Sequence, residues 1–279
     1  MSTPASQPSA TVLTRSEGTS WTLMTWRAAD ASAPLLFLHP AMGMPATYYH
    51  RFGEQAAKAG FHVALTELRG HEAEGGRIPS HRYDFGYQDM VDDLSVAMDE
   101  AQRQFPDVPV VLLGHSMGGQ VGTAYVASHP GRVAGLILIG AGTPYWKAFG
   151  RWMLGGAPLA VLMGQVLGHF PGERFKFAGR ESKGLIRDWA KLALTNRLTG
   201  ATRAQLDASS LPVLAFTIAG DSLAPDESVQ GLVAQLPAAE VDWQHLDIEG
   251  IDHFKWARRP DSVLPQITAW AGALVGDPA

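Results

Sequence analysis

Val108-Pro-Val-Val-Leu-Leu-Gly-His-Ser-Met-Gly118 is the stretch that decides the fold. Val108 to Gly114 is an apolar run of strand length, and Gln120 to Ser128 has a helix-like pattern. Between them lies Gly114-His115-Ser116-Met117-Gly118, a G-x-S-x-G turn with a strand before it and a helix after it. The flanking glycines let the backbone turn sharply. Ser116 is left at the tip with its hydroxyl over a cleft and beside a helix N-terminus, which is the placement of a nucleophile. Elsewhere in a chain the same five residues would be an ordinary loop, so the flanking elements carry the inference.

A nucleophilic serine needs a base to accept its proton and an acid to orient that base. Leu211 to Ala219 reads as a buried strand, and Gly220-Asp221-Ser-Leu-Ala-Pro225 as the loop at its carboxyl end. Val241 to Ile248 alternates as a last strand, followed by the loop Glu249-Gly-Ile-Asp-His253. The expected set is therefore Ser116, Asp221 and His253. With ten histidines and 27 acidic residues, chance offers competitors. His253 could be a surface histidine. Asp226 and Asp252 are alternatives to Asp221, although Asp252 adjoins His253 and sequence neighbours seldom face each other.

Attack on a carbonyl also requires backbone N–H groups aimed at the developing oxyanion. Met117, just after the nucleophile, supplies one. The second is expected in His39-Pro-Ala-Met-Gly43, the turn after the strand Pro34 to Leu38. Pro40 has no N–H, which leaves Ala41 as the donor. His39 and Met42 are candidates for substrate contact; His39 could instead bond to this turn and hold its shape, or be a packed strand-end residue.

These features resemble the α/β-hydrolase superfamily over nearly the whole chain, from about residue 20 onward, and the order serine, acid, histidine is the one that superfamily uses. Leu68-Arg-Gly-His71 resembles its Arg-Gly-His-Gly turn. Tyr87 to Leu94 resembles the helix before the elbow, and His129-Pro-Gly-Arg-Val133 the link to the next strand. The pattern is most similar to the lysophospholipase and monoglyceride-lipase-like serine hydrolases. Two positions depart from it: Pro40 stands where a glycine is usual, and Glu72 replaces the second glycine of Arg-Gly-His-Gly. The resemblance implies an α/β fold with an eight-stranded, mostly parallel sheet, and a cap inserted after the sixth strand whose side chains choose the substrate.

The apolar segments are consistent with that fold. Strands are expected near 11–17, 20–27, 34–39, 61–67, 108–114, 133–140, 211–219 and 241–248, and helices near 47–60, 87–105, 118–128, 227–236 and 261–275. In such sheets ligands bind at the carboxyl ends of the strands, where Ser116, Asp221, His253 and the 39–43 turn all fall. About 70 residues separate Gly140 from Leu211, too many for one crossover helix. The expected division is a tail at 1–12, a core at 13–142 and 209–279, and a helical cap at 143–208.

From Thr143 to Asp207 the cap has ten basic and four acidic residues, a balance of +6 that leaves −11 for the remainder of a chain of net charge −5. That asymmetry suits an anionic substrate such as a lysophospholipid or acyl-CoA ester. Internal ion pairs and solvated helix faces account for it equally well. Trp152 to Pro171 contains no Lys, Arg, Asp or Glu. Its glycines and Pro158 make it a poor membrane span, so it reads as a cap helix over an acyl pocket, the alternative being a lipid-facing lid or dimer surface. Trp146, Phe149, Trp152 and Trp189 are candidates to line the cleft or simply to form core.

The 279 residues are 46% hydrophobic and 18% charged, as in a chain with a substantial core. Residues 1–12 lack the basic and apolar regions of a signal peptide, and the expected location is cytoplasmic. The chain has no cysteine, so disulfides and thiolate chemistry are excluded. No cofactor or metal is expected, since the histidines lack H-x-x-x-H spacing and no phosphate-binding glycine loop occurs. The net negative charge argues against nucleic acid as a partner.

The function these readings imply is hydrolysis of a carboxylic ester, lipid-like or small, through an acyl-enzyme on Ser116. Acyl transfer, thioester, peptide and carbon–carbon hydrolysis use the same triad and remain open. So does a non-catalytic binding protein on the same fold.

Overall fold

The computed structural model describes residues 8–175 and 177–276. Residues 1–7 of the expected tail lie outside the described residues, but its end does not: strand β1 already begins at residue 9 (Ser9–Thr14) and pairs antiparallel with β2 (Ser20–Trp26). β3 (Leu35–His39) and β4 (His62–Thr66) follow, then β5 (Val110–His115) and β6 (Gly135–Ile139). Helix α1 (His50–Lys58) precedes β4, α2 (Tyr87–Gln104) precedes β5, and α3 (Met117–Ser128) leads to β6.

Between β6 and the next sheet strand the chain forms α4 (Trp146–Phe149), α5 (Met153–Leu167), an antiparallel pair β7 (His169–Pro171) and β8 (Arg180–Ser182), α6 (Lys183–Thr195) and α7 (Arg203–Ala208). The 143–208 interval, expected as a helical cap, thus holds these helices and a small hairpin. The charge-free run does not continue as helix to Pro171: α5 stops at Gly168, whose φ of +78° is a left-handed conformation suited to glycine, and the chain turns into β7. β9 (Pro212–Ile218), α8 (Asp226–Val233), β10 (Glu240–Leu246) and α9 (Leu264–Val275) complete the chain.

The main sheet has eight strands in the order β1-β2-β4-β3-β5-β6-β9-β10, parallel from β4 to β10 and antiparallel at β1 and β2. β3, β4, β5 and β6 are buried along their whole length, which explains why they read as unbroken apolar runs without alternation. α2 is amphipathic. Its buried Tyr87, Met90, Val91, Leu94, Ala97, Met98 and Ala101 recur every three or four residues and pack with α3 on one face of the sheet. α1, α9 and Trp256 cover the other face.

Among the contacts that join this inserted segment to the core, two lie beside the 39–43 and 68–71 turns. A Cβ at Gly43 would lie 2.5 Å from the Gly179 nitrogen and 2.8 Å from the Ala178 carbonyl carbon, so the 177–179 loop rests directly on the 39–43 turn. His71 Nε2 lies 3.0 Å from Oε1 of the buried Glu181. Burial by itself would lower the His71 pKa, but the hydrogen bond and charge of Glu181 outweigh it, and the imidazole titrates above its ordinary value. Glu72, the departure from the Arg-Gly-His-Gly pattern, has a structural role: it accepts from Arg15 at 2.6 Å and from the Gly70 N–H at 2.7 Å.

Candidate active site

Ser116 stands between the last residue of β5 and the first of α3, with φ 53° and ψ −120°. This is a backbone conformation that non-glycine residues rarely adopt, and it persists because its surroundings hold it. The Ser116 N–H donates to the Ile139 carbonyl at 3.1 Å, and its own carbonyl accepts from the Gly119 N–H at 2.9 Å. The turn also requires close backbone approach. A Cβ on Gly118 would fall 2.2 Å from the His39 carbonyl oxygen, and one on Gly114 would fall 2.4 Å from the Gly119 Cα.

β9 and β10 are neighbouring parallel strands, and the loops after them bring Asp221 and His253 together. Asp221 Oδ2 accepts from His253 Nδ1 at 2.7 Å, both side chains being almost fully buried. The other oxygen, Oδ1, accepts the Leu223 and Ala224 N–H groups at 2.9 and 3.1 Å. The competing acids are engaged elsewhere. Asp226 opens α8, 4.0 Å from His245, and Asp252 caps the Phe254 and Lys255 amides.

Ser116 and His253 face one cavity of about 510 Å³, within the ~300–1,000 Å³ typical of small-molecule sites. Its floor includes Met42, Met117, Gln120 and Phe254; Phe149, Trp152, Met163, Phe177 and Trp189 come from the cap. Among the described residues, no Lys, Arg, Asp or Glu lines it. The basic surplus of the cap therefore has its observed partners outside the cavity, for instance Arg203 with Asp207 and Arg180 with the Pro79 carbonyl. No group of three or more His, Asp or Glu side chains that could hold a metal is gathered among the described residues.

Three expectations about individual residues need correction. The Ala41 N–H points away from an oxyanion role, because it donates to the Tyr49 hydroxyl at 3.0 Å within the core. His39 does not reach the cavity. It is buried below the end of β3 among Thr66, Leu68, Met90 and Asp93, and burial lowers its pKa to about 4. Trp146 is not among the lining residues; it packs beside Met153, Ala157, Ala190 and Ala193, where α5 and α6 meet. Conversely, Phe254 and Phe177 were not anticipated as lining. Phe254 follows His253 directly, a signal that adjacency could have offered, whereas Phe177 sits in a loop with no periodic pattern.

Fold and site together are those of an α/β-hydrolase with a serine at the elbow. Residues 29–198 match the family model described as serine aminopeptidase, S33, and the chain belongs to that family. A monoacylglycerol lipase of Mycolicibacterium smegmatis is 32% identical over 120 residues, which are 43% of this chain and 39% of that protein. The monoglyceride lipase of Rattus norvegicus is 30% identical over 115 residues, 41% of this chain and 37% of the relative. The aligned segments thus span less than half the length of these relatives. Among solved structures, a soluble variant of monoglyceride lipase from Saccharomyces cerevisiae superposes with a TM-score of 0.72 at 13% identity, covering 99% of this chain and 98% of the other. A carboxyl esterase from Bacillus coagulans gives 0.67 at 16% identity, covering 97% and 100%. No helix among the described residues is long and apolar enough to cross a membrane.

Proposed function

We propose that this protein is a serine hydrolase that cleaves the carboxylic ester of a neutral, single-chain lipid-like substrate, a monoacylglycerol or a comparable acyl ester. The observation that carries this reading is the cavity: about 510 Å³, walled by aromatic and aliphatic side chains, without a charged group among its described lining residues, and in contact with Ser116 and His253. An acyl chain gains from burial in such a wall, while a phosphate or CoA headgroup would find no cation among its described lining residues. An aminopeptidase would need an acid to receive the substrate's free ammonium, and none lines the cavity among the described residues.

In this reading Ser116 Oγ attacks the acyl carbonyl as His253 Nε2 takes its proton. Asp221 holds the other ring nitrogen in place through its 2.7 Å bond. The Met117 N–H, at the start of α3, is one donor to the oxyanion. His253 then gives its proton to the leaving alcohol, and water activated by the same imidazole releases the acid. The printed names of the relatives, lipases and esterases, support the same chemistry.

The deciding experiment is hydrolysis of a p-nitrophenyl ester series from acetate to palmitate, then of a monoacylglycerol against a lysophospholipid of equal chain length, with Ser116→Ala as control. Serine-dependent turnover favouring medium or long chains and the neutral glyceride is expected. Preference for the lysophospholipid would overturn the neutral-substrate reading, and a folded wild-type protein that neither turns over nor is labelled by a fluorophosphonate would overturn the hydrolase itself.

A further inference from the structure

The Ala41 amide is the first link of a buried hydrogen-bond chain. Its N–H donates to Tyr49 Oη at 3.0 Å, Tyr49 Oη lies 2.7 Å from His115 Nδ1, and His115 Nε2 lies 2.8 Å from the carbonyl oxygen of His253. Tyr49 and His115 are both fully buried. The direction of every bond follows from the two ends. A carbonyl oxygen only accepts, so His115 Nε2 carries the hydrogen, and in the neutral imidazole Nδ1 is then the lone pair. Tyr49 must then donate to Nδ1, which leaves the phenol oxygen to accept the Ala41 N–H. One neutral imidazole thereby connects the turn after β3 to the backbone of the loop that carries His253.

We infer that Tyr49 and His115 are positioning residues that hold the oxyanion turn and the His253 loop in mutual register, and that the turn's oxyanion donor is the amide of Met42. Ala41, tied to Tyr49, cannot serve. Met42 is the next residue; like Ala41 it lines the cavity, but its N–H has no protein acceptor among the described residues. The turn is closed behind it by the Met44 N–H donating to the Ala41 carbonyl at 3.1 Å. This assignment rests on the hydrolase reading above.

The surroundings keep the chain neutral and in place. The His115 ring packs against Tyr49, His253, Phe254 and Trp256 at centroid distances of 5.8, 5.0, 5.9 and 5.1 Å. Burial, helped by the nearby His253, holds its pKa well below the ordinary histidine value. Burial likewise raises the Tyr49 pKa, so the phenol keeps its hydrogen. Phenylalanine keeps a ring at either position while removing its hydrogen-bonding atoms, and this makes a test available.

The experiment compares wild type, Tyr49→Phe, His115→Phe and the double variant by ester hydrolysis, well below their unfolding temperatures. Each single variant should lose a factor of about 10 to 100 in kcat with little change in KM, as displaced oxyanion donors do. The double variant should be no worse than the worse single one, because both substitutions cut the same chain. A purely structural role would lower the unfolding temperature and leave kcat of the folded protein intact. Folded single variants with kcat within about twofold of wild type overturn the proposal. Should His115→Phe fail to fold, Tyr49→Phe decides alone. Should wild type itself show no serine-dependent turnover, the hydrolase reading fails. The chain is then judged by long-range nitrogen–proton NMR of the imidazoles: His115 found protonated on Nδ1 overturns it, and His115 hydrogenated only on Nε2 between about pH 5 and 8 sustains it.

Discussion

Asp221 and His253, 32 residues apart in sequence, meet through a single 2.7 Å hydrogen bond at the ends of two adjacent parallel strands. Asp221→Asn should preserve the shape of this contact and reverse its donor–acceptor sense, leaving His253 in the wrong tautomer. A fall in kcat of about 10⁴-fold is expected, as for the equivalent change in other triads. Asp226→Asn, at the exposed start of α8, should leave kcat within a few-fold. Steady-state kinetics of the two variants side by side check the assignment, and the reverse pattern would transfer the role to Asp226.

Gly118 is fixed by contact: any Cβ there would fall 2.2 Å from the His39 carbonyl oxygen and 2.5 Å from that of Pro40. Gly118→Ala should therefore push the oxyanion turn away from the elbow, destabilise the fold by about 1–3 kcal/mol, and slow fluorophosphonate labelling of Ser116. Thermal unfolding and the labelling rate measured on one preparation test both halves.

Acid should destabilise the protein through its buried imidazoles. Burial lowers the His39 pKa to about 4, while a histidine in the unfolded chain titrates near 6.5. As pH falls below about 6.5 the unfolded chain binds a proton that the folded chain refuses, so stability drops down to about pH 4 and is unaffected by this group above neutrality. At about 1.4 kcal/mol per unit the full effect is about 3 kcal/mol. His115 acts in the same direction. Urea unfolding at pH 7.5 and 4.5 should show a loss that His39→Gln reduces; an equal loss in the variant would refute the attribution.

Ala160 lines the cavity from α5, one turn after Gly156 and just before Met163. Ala160→Phe should occupy part of the acyl space and move the optimum of the ester series to shorter chains, with activity on acetate retained. An unchanged optimum would mean that the chain runs along another wall.

The proposed nucleophile, acid and base could be named from sequence because each follows an apolar run at a strand's carboxyl end, and the pairing of β9 with β10 brings Asp221 and His253 together. The proposed second oxyanion donor could not be. Ala41 looks available in the turn sequence, and only the Tyr49 hydroxyl, eight residues on and folded back over the turn, removes it. His39 shows the same limit: one residue decides whether a strand-end side chain points to the cavity or beneath it. The 143–208 interval was legible as an insertion between two sheet strands by its length, but β7 and β8 have three residues each, too short to leave a periodic signature. Which cap aromatics would face inward depended on how α5 packs on α6, a tertiary property that put Trp146 in that seam and Trp189 on the cavity wall.

The seating of the 177–179 loop on Gly43 bears on how readily this protein can be re-engineered. A cap that touched the body only through its two chain connections could be exchanged between homologues as a module. Here the inserted segment and the 39–43 turn share a backbone contact with no room for a single methyl group. A transplanted cap would have to bring a loop that matches Gly43, and a graft that filled the cavity well but stood off this point would alter the rate of chemistry as well as the choice of substrate.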